Sequence, residues 1–336
     1  MKANDPNRVL KNWDRHLTAA ISPGVRAMRL GASPIFQRPA KLSSGGFTLV
    51  ELLVVIAIIG VMLAMLLPAV SGMREAARRS TCQNNVVRLM IALQDYQSAH
   101  ESIPAGVLNP MGPIRNVAFG LHHGWLEQVL PYLDEENVYR QINFSVSVYE
   151  PVNSPVRKLH LSEFICPSEV IDDLSASSYA GCHHDVEAPI DVDNHGVLFL
   201  NSRVSSDDIP DGAGHTIFVG EKIVTAGDLG WTSGTRATLR NTGQRINTVP
   251  LIAAVAVGDK PAAEGDAPGA ESGAPAAAPE SEVLHVGGFA SHHPMGAIFG
   301  LGDGNVRFIA DEIDQTVFQQ LGNRADGALV DDQLLR

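Results

Sequence analysis

The chain has 336 residues, 45% of them hydrophobic and 18% charged, which suits one large folded domain plus an anchor and a linker at roughly 100 to 200 residues per domain. Its net charge of −12 hides an asymmetry: residues 1–46 hold eight Lys and Arg against Asp5 and Asp14, a net of +6, which leaves −18 for the rest. A body so acidic repels phosphate backbones and argues against a nucleic-acid partner, and three cysteines, Cys82, Cys166 and Cys182, are too few for a disulfide scaffold and lack the spacing of a metal knuckle.

In chain order, residues 1–46 read as a cationic leader ending in Ser43-Ser44-Gly45-Gly46. Phe47 to Val70 then form an apolar run of 24 residues whose single charge is Glu51. About 20 such residues span a hydrocarbon core, so the run predicts a transmembrane helix over 47–70. A secretory signal peptide would carry its small-residue punctuation after a shorter apolar stretch; here it comes before. A carboxylate this far into an apolar helix costs about 2.5 to 3.5 kcal/mol and needs a partner. Cutting the chain between Gly46 and Phe47 creates an amine that, on a neighbouring subunit, pairs with Glu51. Pro68 predicts a kink.

Helical periodicity continues over 71–103, with Met73, Ala77, Val87, Met90, Ile91 and Leu93 as the apolar face and no proline before Pro104. This predicts one helix of about 50 residues, a membrane half followed by an amphipathic half packed on the body. Basic residues flank both ends of the apolar run (Arg29, Arg38, Lys41; Arg74, Arg78, Arg79, Arg88), so charge does not fix its orientation.

From 104 to 336 the texture is that of an α+β body. Strands are expected near Gly196–Leu200, Thr216–Val219, Ala297–Leu301 and Val306–Ile309, and short helices over Trp125–Leu133 and Asp311–Leu321. The predicted architecture is an antiparallel sheet against the long helix. Asp303-Gly304 between two apolar runs reads as a type I′ hairpin turn. The Ala/Pro-rich residues 258–283 read as a disordered insertion, lacking apolar bulk to offset chain entropy.

The chemistry-bearing residues are sparse. Three His-His pairs, His122/His123, His183/His184 and His292/His293, have no visible convergence on a metal. Asp191-x-Asp193-x-His195-Gly196 opens like a calcium loop but has Ser202 where the twelfth position needs an acid. No nucleophile elbow, phosphate-cradling loop or His-Glu-x-x-His occurs, and Cys166 before Pro167 has no identifiable base. No catalytic residue, cofactor or metal site is assigned, and no enzymatic activity is expected. With 3 Trp and 5 Tyr scattered along the chain, a glycan-binding surface is disfavoured. In an extracytoplasmic body one disulfide with one thiol left over is the natural arithmetic; Cys82 with Cys166 is the pairing expected, although sequence does not derive connectivity.

Gly46-Phe47-Thr48-Leu49-Val50-Glu51 followed by the apolar helix resembles the class III signal of type IV prepilins and pseudopilins. The resemblance implies cleavage after Gly46 by a prepilin peptidase and methylation of the Phe47 amine. It also implies a single-pass inner-membrane anchor with the body in the periplasm or at the cell surface, and pilin-like subunits as partners through the N-terminal helix. The 46-residue leader is long for this class; a start at Met28 would shorten it to 19. Further segments resemble the planctomycete-type family built on the domain of unknown function 1559. They are Arg79-x-x-Cys82-x-Asn84-Asn85 with Tyr96, Leu130-Pro131-Tyr132-Leu133, Ile165-Cys166-Pro167-Ser168, Tyr179-Ala180-Gly181, Asp208 to Gly212 leading to Val219-Gly220-Glu221, and His293 separated by nine residues from Asp303-Gly304. Gly327-Ala328 departs from the Gly-Glu frequent there. His293 is expected to cap or hydrogen-bond the 303–304 hairpin. The family has no established activity, so the resemblance implies a pilin-like envelope protein of unspecified role, or alternatively a membrane-tethered module binding a glycan, peptide or ion.

Overall fold

A computed structural model describes residues 47–170, 175–248, 279–328 and 330. The leader with Gly46, residues 258–278 of the Ala/Pro-rich insertion and the side chain of Pro68 lie outside the described residues. The chain divides into two compact units, 1–59 and 60–336.

Helix α1 (Leu49–His100) is one element of 52 residues. It begins with a capping box: the Thr48 hydroxyl accepts the Glu51 N–H at 3.2 Å, and Glu51 Oε2 accepts the Thr48 N–H at 2.8 Å. In the first unit every described side chain from Phe47 to Ile59 is exposed, and almost all are apolar. Among the described residues no helix is long and apolar enough to cross a membrane; the apolar run read from sequence includes residues 66–69, whose side chains are not described. The helix ends where Glu101 turns left-handed at φ 60°, with Pro104 just beyond.

In the second unit α1 buries Cys82, Val86, Leu89, Met90 and Leu93, a stripe at three- and four-residue spacing. The face expected from sequence is corrected. Met73 and Ile91 each stand nine residues from Cys82, which at 100° per residue is the opposite side of the helix, and both are exposed. Ala77 is exposed as well.

The body is α+β. A short pair, β1 (Val107–Leu108) and β2 (His123–Gly124), precedes α2 (Trp125–Val129), a 3-10 turn at Leu130–Leu133, α3 (Glu136–Tyr139) and α4 (Ser154–Arg157). Strands β3 (Tyr179–His184), β4 (Ile217–Glu221), β5 (Leu239–Asn241), β6 (Gly296–Leu301) and β7 (Val306–Ala310) form one sheet in the order β5-β3-β4-β6-β7. All its pairs are antiparallel except β3 with β5, so the sheet is mixed. Along β6, Ile298 joins the core beneath α1, whereas Ala297, Phe299 and Leu301 join a second cluster closed by Phe318 and Leu321 of α6 (Gln315–Gly322). Gly300 is required for the first contact, because a Cβ there would lie 2.5 Å from Met90 Sδ.

Three expectations change. Gly196–Leu200 is buried but forms no strand; the Val197 and Leu198 N–H groups both reach the Cys182 carbonyl, at 3.1 Å, and only an isolated bridge at Leu200 remains. Residues 279–283, placed in the insertion, are ordered: α5 (Glu280–Leu284) buries Val283, whose carbonyl accepts the Asn116 N–H at 2.7 Å. The β6–β7 turn is not type I′, since Asp303 keeps negative φ and only Gly304 is left-handed, at φ 86°. The Gly304 N–H closes the turn on the Leu301 carbonyl at 2.9 Å, the pattern of a three-residue hairpin with a bulge glycine.

Candidate functional site: a junction of sequence motifs beneath the long helix

At the N-terminus, Phe47 is 71% exposed and Glu51 is occupied by the capping box, so within one chain the carboxylate already has a partner. Gly46 lies outside the described residues.

Within the second unit α1 presents Glu75, Arg78, Cys82 and Asn85 on successive turns. Cys82 is joined to Cys166 in a disulfide with Cα atoms 5.2 Å apart. Asn85 donates from Nδ2 to the Ile165 carbonyl and to the Tyr179 hydroxyl, both at 3.2 Å, fixing the Cys166 segment against the helix. Tyr179 opposes Glu221 across β3 and β4, which brings Glu221 under the same turn. Its Oε2 accepts the Ile298 N–H at 2.8 Å.

His293 sits among these groups with a fully buried side chain. Its Nδ1 is 2.7 Å from Glu75 Oε1, and its Nε2 is 3.5 Å from both Glu221 Oε1 and Cys166 Sγ. Burial works against the imidazolium, but the Glu221 carboxylate 3.5 Å away and the hydrogen bond to Glu75 outweigh it, and the pKa is raised above the ordinary 6.5. The bond from His293 in turn lowers Glu75 below 4.5, with Arg78 adding to the effect. The imidazole thus stands between a helix carboxylate and a strand carboxylate, both of which favour its protonated form. His293 therefore does not reach the 303–304 hairpin, as sequence had suggested; Asp303 instead accepts the Asn305 N–H at 2.9 Å.

The segments that carried the body resemblance, around Cys82, Cys166, Tyr179, Glu221 and His293, meet at this one place. The imidazole beside Cys166, which nothing local in the sequence points to, is His293, 127 residues away. Ligand atoms of Cys82, Cys166, Glu221 and His293 lie within 4.8 Å of one another, but sulfurs joined in a disulfide offer no thiolate to a metal or a substrate. In this state the arrangement is a clamp. A shallow groove of about 320 Å³ lined by Glu75, Arg78, Pro167, Ser168, Val170 and His292 opens beside it. There His292 pairs with the buried Glu169 at 3.0 Å.

The other histidine pairs separate. His122 contacts the Tyr149 hydroxyl at 2.9 Å and is pushed down to about 4 by burial. His123 bridges Glu127 at 2.7 Å and the Val146 carbonyl at 2.8 Å. His183, buried in β3, contacts Asn194 Oδ1 at 3.1 Å. Cys182 is an unpaired, buried thiol whose pKa burial pushes up.

Sequence reasoning missed an aromatic groove. Tyr96 and His100 of α1, Pro131 and Tyr132 of the 3-10 turn, Tyr139 of α3 and Phe144 line a cleft of about 540 Å³. The Tyr96 and Tyr132 rings meet edge to face with centroids 5.8 Å apart, and the Tyr132 hydroxyl lies 3.2 Å from His100 Nε2. Three of the chain's 5 tyrosines gather here, although nothing local in the sequence links positions 96, 132 and 139.

No curated protein and no solved structure matches the chain. Residues 41–67 match the prokaryotic N-terminal methylation motif, the signal of type IV pilin-like proteins, which implies processing by a prepilin peptidase and anchoring through the N-terminal region. Residues 71–316, most of the chain, match the family described as Protein of unknown function (DUF1559), and that span includes every side chain of the His293 junction. The chain thus belongs to the DUF1559 family and bears a prepilin-type methylation signal at its N-terminus.

Proposed function

We propose that this is a pilin- or pseudopilin-like envelope protein without enzymatic activity. Prepilin peptidase cleaves it after Gly46 and methylates Phe47. A single span over 47–70 then holds it in the inner membrane, with its body in the periplasm or at the cell surface. The observation that carries the reading is the sleeve of exposed apolar side chains that follows Phe47 and whose single charge is Glu51. Such a surface needs lipid or neighbouring helices to cover it. N-terminal mass spectrometry of protein from native membranes is expected to find N-methylated Phe47; an intact leader overturns the proposal.

Assembly through a neighbour's amine and capping of α1 make different demands on Glu51. Glutamine still serves a capping box but cannot form an ion pair. Glu51→Gln and Glu51→Ala are both expected to remain membrane-bound while losing assembly into material recovered by shearing. Normal assembly of Glu51→Gln alongside failure of Glu51→Ala would reduce Glu51 to its cap, worth about 1 kcal/mol.

The aromatic groove favours a second reading, a tethered module whose Tyr and His rings stack on sugar faces. Calorimetric titration with envelope oligosaccharides should then show binding that Tyr132→Ala weakens by about tenfold, equivalent to one lost ring contact of roughly 1.4 kcal/mol. Heats indistinguishable from buffer for the unaltered protein would remove this reading.

A further inference from the structure

A second constellation gathers where β3 ends. His184 is the last residue of that strand, Asp185 follows it, and His195 returns at the end of the 185–195 loop. Both imidazoles turn Nδ1 toward the same carboxylate oxygen: His195 Nδ1 is 3.0 Å from Asp185 Oδ1, and His184 Nδ1 is in close contact with it. The three ligand atoms lie within 4.8 Å of one another, and the two rings stand with centroids 4.4 Å apart. Around a tetrahedral ion with bonds of about 2.0 to 2.2 Å, neighbouring ligand atoms are roughly 3.3 Å apart. The His195–Asp185 contact, at 3.0 Å, is near that spacing.

Surrounding segments hold these groups in place. Asn323, just past α6, donates from Nδ2 to the other Asp185 oxygen at 2.9 Å. The Arg324 N–H donates to the His195 carbonyl at 3.0 Å, and its guanidinium brackets that residue through the Asn194 and Gly196 carbonyls, both at 2.7 Å. The Thr242 N–H donates to the His184 carbonyl at 3.0 Å. Supporting contacts of this kind fix the orientation of metal ligands. Backbone N–H groups of Asp185 and Val186 approach His184 Nδ1 at 2.9 and 3.3 Å, contacts that an ion bound at that nitrogen would replace. His195 is 53% exposed, so the cluster opens to solvent on one side.

The geometry points to a divalent-ion site on His184, Asp185 and His195, of the zinc class, with water completing the shell. Two imidazoles and one carboxylate suit a borderline ion such as Zn²⁺ rather than Ca²⁺ or Mg²⁺, which take oxygen ligands. The calcium-loop reading of Asp191 and Asp193 is thereby separated from His195: among the described residues neither acid joins a group of converging ligands.

The test uses full-length, detergent-solubilised protein without a polyhistidine tag, stripped with chelator and dialysed against ZnCl₂ at neutral pH, with bound metal measured by mass spectrometry. The wild type is expected to hold about one Zn²⁺ per chain, and His195→Ala and Asp185→Asn to bind at least ~100-fold more weakly, a larger effect than losing one supporting contact. His293→Ala should keep the ion. Circular dichroism of the metal-free His195→Ala variant checks the fold, and the exposed position makes that variant the deciding one if Asp185→Asn misfolds. Zinc absent from the wild type overturns the proposal. So does zinc retained by His195→Ala, zinc lost only in His293→Ala, or preferential binding of Ca²⁺.

Discussion

Replacing both Cys82 and Cys166 by alanine is expected to lower the unfolding free energy of the body by about 4.5 kcal/mol, from the chain entropy released when a loop with a sequence separation of 84 is opened in the unfolded state. Both residues are buried. The double variant is the informative one, because a single replacement leaves a thiol beside His293 with chemistry of its own. Urea denaturation under non-reducing conditions should show a lower midpoint. A change below about 1 kcal/mol would mean that packing of α1, not the covalent link, holds residues 82 and 166 together.

His293→Ala is expected to cost about 3 kcal/mol near pH 6, because it leaves the buried Glu221 and the helix residue Glu75 without the cation between them. The cost depends on pH in a direction fixed by the two shifts. The raised pKa of His293 makes its contribution complete below 6.5, the value in the unfolded chain, and lost as pH rises through the higher folded value. The lowered pKa of Glu75 makes its contribution present above 4.5 and lost as pH falls through the folded value. The difference between wild type and variant should therefore be greatest between about pH 4.5 and 6.5. A flat difference from pH 5 to 9 would show that His293 acts by packing alone.

How much was legible follows from where the information lies. The runs that became β4, β6 and β7 were readable because β-branched and aromatic residues concentrate there between turn signals. Strand β3 reads Tyr-Ala-Gly-Cys-His-His and is buried on both faces, so it shows neither alternation nor strand-forming composition. Strand β5 exists by virtue of its parallel pairing with β3, a long-range contact without local signal. The phase of α1 was misread because Met73 and Ile91 are apolar yet exposed, while the polar Asn85 is buried. Thr48-x-x-Glu51 stood in the sequence as a capping box, but the apolar run around Glu51 drew attention to its charge instead. At the site, each motif was visible singly. That Glu75 meets His293 across 218 positions was not.

The disulfide also alters what tension would do to the molecule. A pull on Phe47 travels along α1 to residue 82 and crosses the sulfurs to residue 166, so the chain between them bears no load and cannot be drawn out. At about 3.4 Å per extended residue, this withholds roughly 290 Å of contour. Cleavage of the sulfur link would put that length of chain back into the path between the helix and the sheet.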